Sequence, residues 1–401
     1  MVVAGDDLLA DLTSSGGVAT DFYDYRGDNE FVLRAATHLD TNSFKRPRSG
    51  DTVHPFILDW GSDRDPEPLL AFDGDVGLVL GWGLSDTEFG FRKAPYARRL
   101  LARAGASTSG RVRLDLEADF IDVMPGVDFV LSAGFSGVEG ARFHGFGNST
   151  EISQPSEFYE VNRYDFWIKP ALVVEPIAGA VLSTGPVLRI TSTSEEGPAL
   201  INRERPYALG RDFWEAGWRV ALDIDKRDSS MWPTKGGRLS VEARAFPAAL
   251  DVEESFAGLS AQASTYLSTS MLTQMTLALR VGGERTWGRT PYHEAAYLGG
   301  QSNLRGFRRD RFVGDASLFA GAELRIPVGN ASLFTFPVAW GVSGLADVGR
   351  VYLEGEDSDQ WHSAFGGGVW VTPLNGSLTF SLSLARSEEQ IGLYGGLGFS
   401  F

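Results

Sequence analysis

The sequence contains no cysteine, so the chain can form neither a disulfide bond nor a thiolate metal site. It also has no run of about 18 consecutive apolar residues, the length that a membrane-spanning helix needs. Basic residues are outnumbered, with 36 Lys and Arg against 52 Asp and Glu, and the net charge of -16 argues against a nucleic-acid partner. The chain is therefore either a soluble protein or a membrane protein that crosses with β-strands, whose signal per strand is weak.

Signals of catalysis are also scarce. The five histidines show no metal-ligand spacing to one another, and they are His38, His54, His144, His293 and His362. No Gly-x-Ser-x-Gly nucleophile elbow occurs, and the glycine-rich stretches are not followed by a helix that would bind phosphate. We therefore expect the chain to be no enzyme itself, with no catalytic residue, no metal and no cofactor.

What the sequence does contain is repeated alternation of apolar and polar residues. In residues 111–120 the side chains of Leu114, Leu116 and Phe120 alternate with charged ones, which is typical of a strand with one apolar face. The same alternation recurs in 218–225, 238–245, 318–326 and 380–384. Strands of about 9–11 residues with this pattern fit a tilted strand that crosses a bilayer.

The pattern predicts an all-β protein, a sixteen-stranded antiparallel transmembrane β-barrel with an inward-folded loop, over residues 73–401. Fifteen strands are predicted at 75–84, 87–95, 110–121, 127–137, 160–175, 180–192, 214–226, 236–246, 255–267, 271–283, 316–326, 335–348, 363–372, 377–385 and 392–401. The sixteenth is expected within 29–60, because bacterial barrels have an even strand number. Residues 96–103 have helical composition and are interpreted as loop. Residues 1–72 are interpreted as an N-terminal linker or cap that can hold the first strand.

The most informative stretch is 298–307, between two predicted strands. Gly299 and Gly300 allow positive φ angles and a close backbone approach, and Arg305 precedes Gly306 and Phe307. An arginine presented in this way needs a carboxylate partner. Strand parity places Glu323 on the inner face of its strand and Asp347 on the inner face of the next. We expect a loop folded into the barrel and held by an arginine–carboxylate contact.

These motifs, with residues 225–237 and 344–352, resemble the bacterial surface antigen superfamily, the BamA/TamA/FhaC-like barrels named after an eighty-five-kilodalton outer-membrane protein. The resemblance implies a sixteen-stranded barrel whose Arg-Gly-Phe loop tip, here Arg305, Gly306 and Phe307, contacts acidic residues of the next two strands. By position these are Glu323 and Asp347. The final strand, with Phe399 and Phe401, resembles the C-terminal signal that outer-membrane barrels present to their assembly machinery.

The resemblance implies an integral protein of the bacterial outer membrane that assembles, inserts or translocates polypeptide. Its expected partners are outer-membrane lipid and lipopolysaccharide, the barrel-assembly machinery and a polypeptide client, and we expect a monomer. Residues 1–72 do not show the βααββ pattern of the POTRA modules of family insertases. The alternative is therefore an anchor or translocator for an upstream phosphoesterase or patatin-like lipase domain. A soluble β protein is the third possibility.

Overall fold

The computed structural model describes residues 2–3, 8–10, 20–24, 29–32, 37–40, 59–73, 77–138, 141–210, 212–269, 275–333, 336–373 and 379–401. Most of it is one antiparallel sheet that closes into a barrel. The first strand, β1, has two segments, Ser62–Pro66 and Leu69–Asp73, which both pair with the next strand. The other strands are β2 Gly77–Gly90, β3 Lys93–Ser107, β4 Val112–Met124, β5 Val127–Ser136, β6 Arg163–Ile177, β7 Ala180–Thr193, β8 Phe213–Asp225, β9 Gly236–Phe246, β10 Phe256–Thr269, β11 Met275–Trp287, β12 Ala316–Leu333, β13 Phe336–Tyr352, β14 His362–Pro373, β15 Phe380–Arg386 and β16 Ile391–Leu397.

The sixteen-stranded antiparallel sheet is confirmed, but several predicted strands are wrong in detail. The predicted strands 75–84 and 87–95 fall largely on one strand, β2, and the segment 96–103, interpreted as loop, lies within β3. The first strand is at 62–73, so the wall begins before the expected boundary at residue 73. Of the range 29–60, the structure describes 29–32, 37–40 and 59–60, and none of these residues belongs to the barrel wall.

The alternation of side chains separates an apolar outer face from a mixed inner face. On β2 the side chains of Leu80, Trp82 and Leu84 are exposed, whereas Val79 and Ser85 are buried on the opposite face. A water-soluble protein seldom exposes so continuous an apolar surface, whereas the lipid-facing wall of a membrane barrel requires one. Residues with inner parity are therefore the ones that can form a site.

Two kinds of connection distinguish the ends of the barrel. Turns such as 91–92, 125–126 and 178–179 lie at one end, and the segments 137–162, 194–212 and 288–315 lie at the other, which we call the loop-rich end. Outer-membrane barrels have short periplasmic turns and longer extracellular loops, so in a barrel of that kind the loop-rich end would be the extracellular one.

Short elements occur outside the wall. They comprise an α-helix at Leu200–Glu204, 3-10 turns at Ser156–Tyr159 and Tyr292–Glu294, and a strand pair Ala141–Arg142 with Glu160–Val161. In the N-terminal part, Val2–Val3, Thr20–Asp24 and Thr37–Asp40 form a parallel sheet, and Leu8–Ala10 pairs with Glu30–Val32. Across the described residues, no helix is long and apolar enough to cross a bilayer.

Candidate functional site: the inward loop and its ion pairs

Residues 288–315, which we call the inward loop, connect β11 to β12 at the loop-rich end. Its two arms pair with each other, Ala296–Leu298 with Phe312–Gly314, and so form a short antiparallel stem. The side chains of Leu298 and Phe312 in this stem are buried. The stem is an ordered element that holds the residues between its arms in a defined place.

Two glycines and one asparagine shape the turn beyond the stem. Gly299 and Gly300 have φ angles of +133° and +92°, in the region that L side chains avoid. A Cβ at Gly299 would lie 2.2 Å from the carbonyl oxygen of Arg308, so no side chain fits there. The Asn303 side-chain oxygen accepts hydrogen bonds from the backbone N–H groups of Gly299 and Leu304, both at 2.8 Å. The adjacent glycines seen in the sequence are thus required by the close return of the chain.

Arg305 lies at the tip of the inward loop and is fully buried. Its Nε and Nη2 donate to the two carboxylate oxygens of Asp347 at 2.6 and 2.9 Å, and its Nη1 donates to Glu323 at 2.7 Å. The backbone N–H of Arg305 also donates to Asp347, at 3.2 Å. The structure therefore places the predicted tip arginine between the two predicted inner-wall carboxylates, with a bidentate contact to one of them.

Two further arginines, one from each wall strand that flanks the loop, complete what we call the tip cluster: Arg280, Arg305, Glu323, Arg325 and Asp347. Arg280 on β11 lies 3.3 Å from Asp347 and donates to the backbone oxygens of Ser302 and Asn303 in the loop. Arg325 on β12 donates to Glu323 at 2.9 Å. Sequence reasoning did not select Arg280, although its position between the outward residues Leu279 and Val281 already indicated an inward charge.

The next two residues of the tip contact further strands of the wall, beyond those that Arg305 reaches. The backbone N–H of Gly306 donates to the hydroxyl of Tyr394 on β16 at 2.7 Å, and its carbonyl oxygen accepts from Ser387 at 2.8 Å. Gly306 has φ +90°, and a Cβ there would lie 2.7 Å from the Cβ of Ala364 on β14. Phe307 is fully buried in an apolar cluster with residues of the stem, β12, β13 and β14. The tip thus ties β12, β13, β14 and β16 together.

The chain beyond β16 turns into the lumen rather than extending the wall. The predicted strand 392–401 is wrong at its end, because β16 stops at Leu397 and Gly398 has φ +77°. The guanidinium carbon of Arg325 lies 3.7 Å from the ring centroid of Phe399, and that of Arg280 lies 4.6 Å from the ring of Phe401. Both aromatic residues therefore lie against the tip cluster through cation–π contacts. Their predicted role as an assembly signal stays a prediction.

A second group of ion pairs holds the base of the inward loop, and we call it the stem cluster: Arg189, Glu215, Arg244, His293 and Glu294. Glu294 of the loop pairs with Arg189 of β7 and, at 2.6 Å, with Arg244 of β9. His293 lies 3.4 Å from Glu215 of β8, whose side chain is completely buried. The inward loop is therefore anchored to two different parts of the wall, to β7, β8 and β9 near its base and to β11, β12 and β13 at its tip.

Residues 141–162, which we call the cover, pack on the loop-rich end next to the inward loop. The Asn148 side chain donates to the carbonyl oxygen of Gln360 at 2.9 Å and accepts from the N–H of Val351 at 3.0 Å. His144 stacks on Tyr159 with ring centroids 4.6 Å apart, and burial together with the nearby Arg311 lowers the pKa of His144 to about 3. His144 is consequently neutral at physiological pH, and the cover packs around an uncharged imidazole ring.

The geometry of the site fits a mechanical brace. The charged groups of the tip cluster form ion pairs with one another. In the described part of the chain, no group of His, Cys, Asp or Glu residues could hold a metal. A fully buried ion-pair network is costly to break, because any partner left behind would be a desolvated charge. The arrangement fixes a loop across the lumen. The last two strands of the wall, β15 and β16, have seven residues each and are shorter than β2 to β14.

Comparisons with known proteins agree with this architecture. Residues 181–401 match the family model described as the Omp85 superfamily domain. The fold is similar to that of BamA from Haemophilus ducreyi lacking POTRA domains 1-3, with a TM-score of 0.61 and 12% identity over 84% of this chain and 70% of that one. It is also similar to CdiB from Escherichia coli, with a TM-score of 0.55 and 13% identity over 91% of this chain and 65% of that one. No curated protein sequence matches the chain. Since the family model spans more than half of its residues, the chain belongs to the Omp85 superfamily of outer-membrane β-barrels.

Proposed function

We propose that this chain forms the barrel of an outer-membrane protein that inserts or translocates polypeptide, and that the inward loop braces the barrel while it does so. Membership of the Omp85 superfamily supports a protein insertion or translocation role. The observation that carries the bracing role is the bridge from the buried Arg305 to both Glu323 and Asp347. The barrel wall itself then performs no chemistry, and any catalytic activity of the full-length protein would lie in another domain.

A barrel that inserts polypeptide has to open toward the membrane without losing its shape. The seam between β16 and β1 suits such an opening, because β15 and β16 have seven residues each, whereas β2 to β14 have 10 to 18. The first strand is in two segments of five residues. Gly395 and Gly396 add little side-chain packing to β16, and glycine weakens strand pairing.

The inward loop contacts the strands on the β16 side of the seam, and these strands have to stay in place when the seam opens. Arg305 fixes the tip to β12 and β13, and Gly306 hydrogen-bonds to Tyr394 of β16 itself. Because β16 is held to the same tip as β12 and β13, opening the seam would move β1 away while β16 and β12 to β14 stay in place. In this proposal the protein acts as a monomer in contact with outer-membrane lipid, lipopolysaccharide and the assembly machinery.

Site-specific photo-crosslinking tests the insertion role. A photoreactive residue replaces Leu393, which is exposed on the outer face of β16, in cells that make the full-length gene product. The matched control replaces Leu279, which is exposed on the outer face of β11, away from the seam. We expect adducts with a pulse-labelled outer-membrane barrel protein from position 393 and none from position 279.

The alternative roles give different results in the same experiment. A barrel that only anchors or exports an upstream domain would give no client adduct at either position, and this result would refute insertion through the seam. Adducts with the protein's own N-terminal domain at inner-wall positions such as Ser343 would instead support translocation of that domain.

A further inference from the structure

The outer wall between β8 and β11 carries an apolar groove near the loop-rich end. Trp218 faces Ala245, Ala245 faces Ala257, and Ala257 faces Trp287 across three successive strand pairs. At about 4.8 Å between strands, the two tryptophans stand about 14 Å apart with only alanine between them. The resulting depression has a volume of about 770 Å³ and an almost entirely apolar lining that includes Gly217.

The walls of this groove are fixed. The indole N–H of Trp218 donates to the hydroxyl of Thr184 on the neighbouring strand at 2.8 Å. Behind the floor, on the inner face, the rings of Phe246 and Phe256 stack with centroids 4.7 Å apart and are buried. The groove is therefore a preformed feature of the outer surface.

A charged residue stands beside this apolar surface. Arg285 of β11 has the same parity as Val281 and Trp287, which are exposed on the outer face, and Arg285 itself is exposed. Its guanidinium carbon lies 5.8 Å from the ring centroid of Trp287. Within the described ranges, no carboxylate lies at ion-pairing distance from Arg285, whereas the neighbouring rim residue Arg289 pairs with Glu253.

An unpaired arginine on a lipid-facing wall requires an explanation. Its cost is about 2–4 kcal/mol at the bilayer midplane and falls to about 0–1 kcal/mol near the interface, where tryptophan girdles also lie. Arg285 lies two residues from Trp287, at the end of β11, and so at interface level. There the group that complements a guanidinium best is the phosphate of a lipid, which can accept two parallel hydrogen bonds.

The position in the barrel selects the leaflet. β9 and β11 end, and β8 and β10 begin, at the loop-rich end, which is the extracellular one. The lipid beside the groove therefore belongs to the outer leaflet, whose phosphorylated lipid is a glycolipid with several acyl chains.

We propose that the groove between Trp218 and Trp287 binds one acyl chain of a phosphorylated outer-leaflet glycolipid, and that Arg285 binds a phosphate of the same molecule. The charge on the outer wall and the adjacent apolar depression are then two halves of one site. The proposal does not depend on the insertion role, because it concerns the opposite face of the wall and does not involve the inward loop.

Lipid binding to the full-length protein in detergent micelles, measured by native mass spectrometry, tests this site. The probes are diphosphoryl lipid A, the same lipid with both phosphates removed, and phosphatidylethanolamine. We expect saturable binding of diphosphoryl lipid A, with Arg285→Gln weakening it about tenfold, since a hydrogen bond to a charged group contributes about 1.5–3 kcal/mol. Arg285→Lys should bind better than Arg285→Gln, because it retains the charge.

A second variant tests the groove itself. Ala245→Phe fills the space between the tryptophans, and we expect it to weaken lipid A binding about as much. The matched controls are Ala320→Phe, which adds the same volume to the outer face of β12, and Arg289→Gln, which removes a rim charge already paired with Glu253. Equal binding of the dephosphorylated lipid, or wild-type affinity in either Arg285→Gln or Ala245→Phe, would overturn the proposal.

Discussion

Replacing Arg305 with alanine removes a buried cation from between two buried carboxylates. Asp347 loses its bidentate partner, and Glu323 loses a contact of 2.7 Å. Removing one partner of a buried ion pair typically costs about 3–5 kcal/mol, because the other charge is left desolvated. Arg280 and Arg325 remain within 3.3 and 2.9 Å of the same carboxylates and compensate part of that loss. We therefore expect Arg305→Ala to lower the free energy of unfolding by about 3 kcal/mol.

Urea titration of the protein folded in lipid vesicles, followed by tryptophan fluorescence, measures this free energy. The matched control is Arg205→Ala, because Arg205 also forms an ion pair, with Glu195 at 2.8 Å, but its side chain is 64% exposed and lies outside the wall. Exposed pairs contribute little, so the control should be indistinguishable from the wild type. The double variant with Asp347→Asn should cost less than the sum of the two single variants, since both residues act in one network. An Arg305→Ala variant as stable as Arg205→Ala would show that the tip cluster does not hold the loop.

Three further predictions concern other parts of the brace. Gly306→Ala should cost more than about 2 kcal/mol, because the new Cβ would lie 2.7 Å from Ala364, whereas Gly355→Ala, at a similar positive φ but in open space, should cost about 1 kcal/mol in the same urea titration. Glu294→Gln should destabilise the protein by about 2 kcal/mol and speed limited proteolysis within 288–315, and unchanged proteolysis would show that the stem cluster is not an anchor. The pKa of His144 is lowered to about 3 by burial, so the unfolded segment binds a proton below pH 6.5 that the folded one does not. The free energy of unfolding of the cover should therefore decrease as the pH is lowered, and at pH 5 it should be about 2 kcal/mol smaller than at neutral pH. Faster hydrogen exchange in 141–161 at pH 5 than at pH 7.5, after correction for the intrinsic rate, would confirm it, and His144→Phe should abolish the difference.

Much of the fold could be predicted from the sequence, because successive side chains of a β-strand point to opposite faces of the sheet. Parity alone placed Glu323 and Asp347 on the inner face, and the structure has both side chains buried there. The strand boundaries were less visible. Residues 96–103 are rich in Ala, Arg and Leu and have high helix propensity, yet they lie in β3, paired with β2 and β4. Cross-strand pairing outweighs such local propensities.

The parts of the site that the sequence did not reveal depend on contacts between distant residues. Glu294 meets Arg189 and Arg244 only because the barrel brings β7 and β9 close to the base of the inward loop. Nothing in the local pattern around Glu294 indicates those partners. The alternation after Ile391 continues to Phe401, but the backbone turns at Gly398, and Phe399 lies against Arg325 instead of extending the strand. Local patterns thus predict which face a residue occupies but not which charged group it meets.

Insertion kinetics test both the proposed insertion of polypeptide by this barrel and the proposed bracing by the inward loop. The full-length protein is reconstituted into vesicles, and the folding rate of a urea-unfolded eight-stranded outer-membrane barrel is followed by its heat-modifiable migration. We expect the wild type to accelerate folding over empty vesicles, Arg205→Ala to do so equally, and Arg305→Ala, although folded, to lose most of the acceleration. A wild type that accelerates nothing would contradict the insertion role, and an Arg305→Ala variant as active as the wild type would contradict the role of the brace.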